Sequence, residues 1–381
     1  MMKHEPLRRV LIVGGGAGGL AAAVAAGAAG AQVTILEKAN RVGKKLLRTG
    51  NGRCNLTNLR VSPAGYNCPE FVSPLLAETD CAALRTFFAS LGLWTVSDPE
   101  GRVYPRSDAA ASVLDVLRLG CARAGVQEIC STEVTGLRIT QKGYAADTRE
   151  HGAFSADRLI VSTGGGTALL RSLGHALTPF SPVLCPLRTD TAPTRGLSGL
   201  RVKCRASLRR GRAVLVEESG EILFRDFGVS GILALDLSRY AKKGDTLSLD
   251  LLPELTEEEL CLRLEQQRSL SRPEGELLTG IFQRRVAEAL IRSAGSTDSA
   301  ALSRRIKDFC LTVEGPGDVQ NAQVTRGGAA VEGFDPLTLE SRLHPGLYAV
   351  GEALDVDGRC GGYNLHWAFA SGLAAGRSAG A

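Results

Sequence analysis

Three glycines and one carboxylate carry the clearest chemical signal in the chain. Gly14, Gly16 and Gly19 form Gly-x-Gly-x-x-Gly, and Glu37 follows 18 residues beyond Gly19. That spacing points to capture of a dinucleotide. Gly14 permits a tight turn, and Gly16 lets backbone N–H groups approach a pyrophosphate. Gly19 lets a helix pack closely on a sheet, and the carboxylate accepts hydrogen bonds from a ribose. The elements that must position them are an apolar strand over Val10–Val13, an Ala-rich helix and a second strand over Gln32–Leu36. Together they read as a βαβ unit whose helix N-terminus adds partial positive charge at the phosphates. The motif alone leaves NAD(P) and FAD open.

The far end of the chain narrows that choice. Leu347–Val350 runs into Gly351-Glu352, and Gly361-Gly362-Tyr363-Asn364 opens an Ala/Gly-rich helix. A second glycine-rich strand–loop–helix at this distance predicts an FAD protein of the two-dinucleotide-fold type, against the plainer reading of 346–376 as the closing βα unit of an α/β sheet. The N-terminal unit holds the ADP half, and an acidic residue after the late strand meets the ribityl chain or pyrophosphate. The late helix turns its N-terminus to the flavin, where its dipole stabilises negative charge on the reduced ring. The string RLIVSTGGGT (158–167) adds a buried strand ending in glycines. Gly164 to Gly166 lack the spacing of a second fingerprint and read as a loop over the flavin. NAD(P)H as electron donor would then bind transiently, without a Rossmann domain of its own.

Between these ends the composition shifts. Pro186, Pro193 and pieces such as AVLVEE and EILF predict a small β domain over 186–252. Residues 253–315 read as helical, opened by a capping box, Thr256-x-x-Glu259, with amphipathic runs over Ile281–Ile291 and Leu302–Leu311. The FAD domain is therefore expected to be discontinuous, 1–185 plus 316–381. Within it, helices are predicted over 75–93 and after Ser107 as N-cap, the latter stopped by Gly125. Short strands are expected at 132–140 and 144–148.

Composition bounds the function. The 44% hydrophobic and 22% charged residues are those of a soluble globular protein, and a net charge of +5 over 381 residues, without a Lys/Arg block, does not suggest nucleic acid. No uninterrupted apolar stretch reaches the length of a membrane span, and MMKHEPLRR has no signal-peptide cleavage pattern. The ten cysteines stand singly, with no CxxC and no Cys/His cluster, so no metal site is expected and most read as free thiols of a reducing cytoplasm.

The strings GNGRCNLTN (50–58), GRVYPRSDAAASVLDVL, VTRGG (324–328) and GEALDVDGRCGGYNLHWAFASG resemble the BaiN/RdsA-type FAD-dependent oxidoreductases, the YhiN-like flavoproteins. The resemblance covers essentially the whole chain. It implies a Rossmann-like FAD domain interrupted by a β-barrel-like domain and a small helical domain. It also implies that Gly14, Gly16, Gly19, Glu37 and Lys38 hold the ADP half, while Gly50, Arg53, Cys54 and Asn55 line the flavin or pyrophosphate. The backbone of Val134 would meet adenine, and Thr163 with Gly164 would close over the cofactor. Gly351, Glu352, Asp357, Gly361, Gly362, Tyr363 and Asn364 would bind the ribityl chain and ring. Two residues depart from the pattern. His366 stands where Gln is commoner, and Arg326 where a small residue is; both would lie near the flavin and retune substrate choice.

Reduction of an activated C=C bond delivers hydride to one carbon and needs an acid for the other. Tyr363, His366, Tyr104 and Ser107 are the candidate acids, each weighed against an ordinary packing role. For His366 the alternative is a helix histidine bonded to a backbone carbonyl; for Cys54, near the flavin, it is a buried structural thiol rather than a redox group. Lys44 and Lys45 read as phosphate or loop anchors, and His4, His151 and His344 as surface residues. The leading expectation is NAD(P)H-driven reduction of a double bond in a hydrophobic small molecule. The resemblance points to bile-acid or steroid enones, since one activity of the family is reduction of unsaturated 3-oxo bile acids. The rivals are a flavin oxidase of a small amine or alcohol, an FAD-containing RNA-associated protein and a plain NAD dehydrogenase.

Overall fold

The chain is described from a computed structural model, over residues 7–165, 168–270, 273–318, 322 and 324–381. It divides into two units, Met1–Ser181 with Val324–Ala381, and Pro182–Gln323.

The first unit is built on a five-stranded parallel sheet in the order Leu347–Ala349, Arg158–Val161, β1 (Arg9–Val13), β2 (Gln32–Leu36) and Gln127–Ile129. The apolar runs of β1 and Arg158–Val161 suit strands covered on both faces, and Ile12, Ile35 and Ile160 are fully buried. The crossover helix α1 (Ala17–Ala28) is buried along Gly18–Ala26, because the C-terminal helix (Tyr363–Gly380) lies directly against it. Small residues make that approach possible. A Cβ on Gly372 would stand 2.3 Å from the Gly18 oxygen, one on Gly376 2.3 Å from the Ala22 oxygen, and one on Gly380 2.8 Å from the Ala26 oxygen.

Local signals explain several boundaries. The helix predicted over 75–93 is two helices, Pro69–Glu78 and Cys81–Ser90, because Asp80 caps the second by accepting the Ala83 N–H at 2.7 Å. Ser107 is not an N-cap; it donates to Ser112 Oγ, and the helix begins at Ala110 with no side-chain cap. Gly125 does follow that helix, at φ +68°.

The second unit is a closed barrel of six strands. Around it run Leu187–Thr189, Gly228–Ser230, Ala213–Arg225, Arg201–Arg210, Thr246–Asp250 and Phe309–Pro316. The last of these corrects the expected helical segment of 253–315. Helices occupy Glu257–Arg268, Arg284–Ala294 and Ser299–Lys307, and then Phe309, Leu311 and Val313 alternate into the barrel core. The helices are thus an insertion between the fifth and sixth strands rather than a segment following the barrel. Thr256 and Glu259 form the capping box reciprocally.

Among the described residues no helix is long and apolar enough to cross a membrane, and no group of His, Cys, Asp or Glu could hold a metal. All ten cysteines are free.

Candidate dinucleotide site

The glycine motif sits where β1 turns into α1. Gly14 adopts φ +102°, and a Cβ there would be 2.4 Å from the Ser162 oxygen, so the turn accepts only glycine. A Cβ on Gly19 would meet the Gly14 oxygen at 2.0 Å. At Gly16 the opposite holds, for nothing lies within 4 Å of where a Cβ would be. The first helical bond runs from Leu20 N–H to Gly16 C=O, and no side chain caps the helix. The N–H groups of its first turn are left for an anion. Glu37 accepts the Gly15 N–H at 2.8 Å on one carboxylate oxygen and the Ala39 N–H at 2.7 Å on the other. Each oxygen keeps a lone pair for a ribose hydroxyl. Lys38 is exposed, and the chain before Val134 runs beside this carboxylate, with Thr132 N–H donating to the Glu37 carbonyl. Val134 itself opens the strand Val134–Thr140, paired with Thr148.

Two further loops come from opposite ends of the chain. Gly50 and Asn51 are both left-handed, at φ +56°, and Cys54 at φ +58°. This places Gly50 beside Asn55 and Tyr104, and Asn55 against the turn that opens the C-terminal helix: a Cβ on Gly362 would be 2.9 Å from Asn55 Oδ1. That turn has Gly361 at φ +98° and Gly362 at φ +104° as an N-cap without a side-chain bond. Gly361 is fastened through its carbonyl to Asn58 Nδ2 at 3.0 Å. On the other side, Lys45 Nζ pairs with Glu352 Oε2 at 2.5 Å, and Gly164 lies beside the same oxygen. Thr163 and Gly164 follow the strand Arg158–Val161 and so share its end of the sheet with Gly14.

FAD fits these residues. Besides the open cradle at Gly16, Asn55 Oδ1 is a buried acceptor with no donor among the described residues. An orphaned buried acceptor is costly unless a ligand N–H completes it.

Other expected roles are corrected. His366 is completely buried on the C-terminal helix. Its Nε2 donates to the Thr79 carbonyl at 2.9 Å, which fixes the tautomer, and its Nδ1 accepts from Thr57 Oγ1 at 2.8 Å. Burial lowers its pKa to about 4. It is a neutral packing histidine, not an acid facing a ligand. Tyr363 donates its hydroxyl to the Arg60 carbonyl at 2.8 Å and packs on Tyr66. Asn364 closes on the Gly358 N–H and carbonyl at 2.8 and 2.9 Å, so its amide holds the preceding loop. The Asp357 carboxylate receives both arms of Arg326, at 2.7 and 2.8 Å, and is fully buried. The two were expected as a ribityl contact and a separate substrate-tuning residue; they are one ion pair. Cys54 turns its thiol into the core, where burial pushes it up to about 12. Arg53 pairs with Asp108 at 2.6 Å and stacks 4.2 Å over the Tyr104 ring. His151 is exposed, but His344 is half-buried and bonded to the Leu173 carbonyl at 2.7 Å; His4 lies outside the described residues.

Tyr104 keeps its candidacy. Its ring is buried, yet its hydroxyl has no hydrogen-bond partner among the described residues and is not sealed in the interior. Burial raises its pKa, against the pull of Arg102 and Arg53, so the phenol stays protonated at neutral pH. Supporting residues with no sequence motif include Trp367 and Ser371. Trp367 donates to the Gly351 carbonyl at 3.2 Å, and Ser371 accepts the Gly351 N–H at 3.0 Å. Their i, i+4 spacing on one helix face was the available signal.

An open glycine turn at a helix N-terminus, a carboxylate after the second strand and a late helix N-terminus on one parallel sheet mark a Rossmann-like, FAD-dependent oxidoreductase. The chain belongs to the family described as the HI0933-like protein Rossmann domain, whose model matches residues 8–378. It is 38% identical to a 3-dehydro-bile acid delta(4,6)-reductase of Clostridium scindens, over 98% of this chain and 99% of that one. It is 27% identical to a ribosomal RNA dihydrouridine synthase of Escherichia coli, over 96% of each. Among solved structures, a flavocytochrome c3 fumarate reductase in an open conformation shares the fold at TM-score 0.50 and 16% identity, over 99% of this chain and 78% of that one.

Proposed function

We propose that this protein reduces an activated C=C bond, conjugated to a carbonyl in a hydrophobic small molecule of the steroid or bile-acid enone class, with electrons from NADH or NADPH. The observation that carries this reading is the 38% identity, over nearly the full length of both chains, to a reductase named for 3-dehydro-bile acids. The chemistry that FAD would supply at this site is hydride transfer, from the nicotinamide to the electron-poor carbon of the double bond. The chain supplies position and a proton. Gly16 with the first turn of α1, and Glu37, hold the ADP half. The loop at Gly50–Asn55 and the turn at Gly361–Gly362 form the opposite wall of the site. The Tyr104 hydroxyl donates the proton to the carbon next to the carbonyl, and Arg53, stacked on its ring and tied to Asp108, keeps the phenol in place.

A second substrate shares this chemistry. Uridine C5=C6 is also conjugated to a carbonyl, and relatives at 27% and 28% identity are named for dihydrouridine in ribosomal RNA. The test is anaerobic reduction of the purified flavoprotein by NADH and by NADPH, then reoxidation by bile-acid dienones, simple enones, a ribosomal RNA transcript or O₂. Bleaching by a nicotinamide and recovery on adding an enone is the expected result. Recovery only with RNA selects the second reading. Failure of both nicotinamides to bleach the flavin removes the donor assignment, and recovery only with O₂ selects an oxidase.

A further inference from the structure

We propose that a cavity at the edge of the parallel sheet opposite the dinucleotide loops binds a small oxyanion of the phosphate type, through Arg158 and Lys142. The cavity holds about 290 Å³, near the lower end of the range for small-molecule sites, and is walled by Lys142, Tyr144, Asp157, Arg158, His344 and Pro345. Arg158 is the first residue of its strand, and the same strand reaches Ser162–Gly164 at its other end.

The walls are built and their own polar groups are answered. Tyr144 donates its hydroxyl to the Pro345 carbonyl at 2.7 Å, and His344 Nε2 donates to the Leu173 carbonyl at 2.7 Å. Asp157, the carboxylate of the cavity wall, takes the side chain and the backbone N–H of Arg9, both at 2.9 Å. Glu340, close enough to act on Tyr144, accepts the Gly346 N–H at 2.6 Å. Gly346, at φ +85°, makes room for the guanidinium, since a Cβ there would be 2.9 Å from Arg158 Nη1.

Arg158 is what remains. Its side chain makes no hydrogen bond or ion pair among the described residues, although its charge acts on the neighbouring Asp157, and its Nε is buried. Its Nη groups are likewise unbonded but are not sealed in the interior, so they are free to donate to an acceptor in the cavity. A planar fork of donors, with an exposed lysine lining the same cavity, matches a tetrahedral oxyanion better than a neutral ligand. The oxyanion can be free phosphate or the phosphate of a small ester, and the two sources are separable.

The test is calorimetric titration of the FAD-loaded, full-length protein, so that the dinucleotide loops are filled, with inorganic phosphate and with glycerol phosphate in chloride-matched buffer. One saturable site is expected, tighter for glycerol phosphate if an ester is the natural ligand. Arg158→Gln should weaken it at least about tenfold and Lys142→Gln several-fold. Ligand-free melting of both variants should stay close to the parent, because neither side chain makes a hydrogen bond or ion pair among the described residues. Should Arg158→Gln fail to fold, the exposed Lys142 still decides through its own variant. No saturable binding of either anion, or unchanged binding in the variants, overturns the proposal.

Discussion

Tyr104 and His366 began as equals among the candidate acids and differ in what their polar atoms touch. The Tyr104 hydroxyl is unengaged, whereas both His366 nitrogens are bonded and sealed. Tyr104→Phe should therefore lower kcat by roughly 10²-fold or more, the usual contribution of a general acid. The flavin spectrum and the rate of reduction by the nicotinamide should not change, because the phenol acts after the electrons are loaded. Equal kcat in the variant would remove Tyr104 from the reaction. His366 acts on stability instead. Its folded pKa of about 4 lies below the ordinary value of 6.5, so the unfolded chain takes up the proton first as pH falls. The stabilisation is complete above pH 6.5 and is lost toward pH 4. At pH 5 this one group costs roughly 2 kcal/mol relative to pH 7. His366→Gln should flatten that part of the profile, measured as urea midpoints at the two pH values. An unchanged slope would show that other groups govern the acid limb.

At the scale of elements, the contact between α1 and the C-terminal helix brings the two ends of the chain together. Gly372, Gly376 and Gly380 recur every four residues, so they line one stripe that meets the backbone oxygens of Gly18, Ala22 and Ala26. Gly372→Ala forces a methyl within 2.3 Å of a carbonyl and should destabilise by about 1–3 kcal/mol, with weakened FAD retention because Gly18 lies in the phosphate turn. Gly275→Ala, where a Cβ meets nothing, is the matched control and should be near neutral. Equal melting temperatures for the two variants would refute the close-packing argument. The βαβ unit was legible in the sequence because its signals are local: a glycine motif, strand periodicity and an acid at fixed spacing. The pairing of α1 with the late helix was not, since an Ala/Gly-rich helix declares no partner. Nor was the sixth barrel strand. Leu302–Leu311 reads as one amphipathic run, and only closure of the barrel turns Phe309 onward into strand. The Arg326–Asp357 pair and the closed bonds of Tyr363 and Asn364 depend on folded geometry that no spacing encodes.

On the scale of the whole molecule, every residue assigned to the cofactor belongs to one unit made from both ends of the chain, and the barrel with its helices is a single excursion between residues 181 and 324. The geometry where the chain leaves and returns makes the excursion removable. Ala330 N–H donates to the Ala176 carbonyl, and Gly327 approaches the backbone of Thr178 and Pro179. The register thus runs antiparallel, and continuing it brings residue 324 beside the point of exit. A short turn of two to four residues can close such a pair as a hairpin. Replacing 182–323 by such a turn should leave a soluble chain that is yellow when purified and releases FAD on denaturation. The five-stranded sheet, α1 and the C-terminal helix lose none of their mutual contacts. Turnover of enones should disappear if the excised segment, which holds no residue assigned to the cofactor, selects the substrate, since the dinucleotide motif is blind to it. Absorbance of the purified protein and enone-dependent reoxidation decide the matter. A colourless chain with intact helical circular dichroism would mean that the cofactor needs residues of the barrel unit. Retained enone turnover would place substrate recognition within the dinucleotide unit itself.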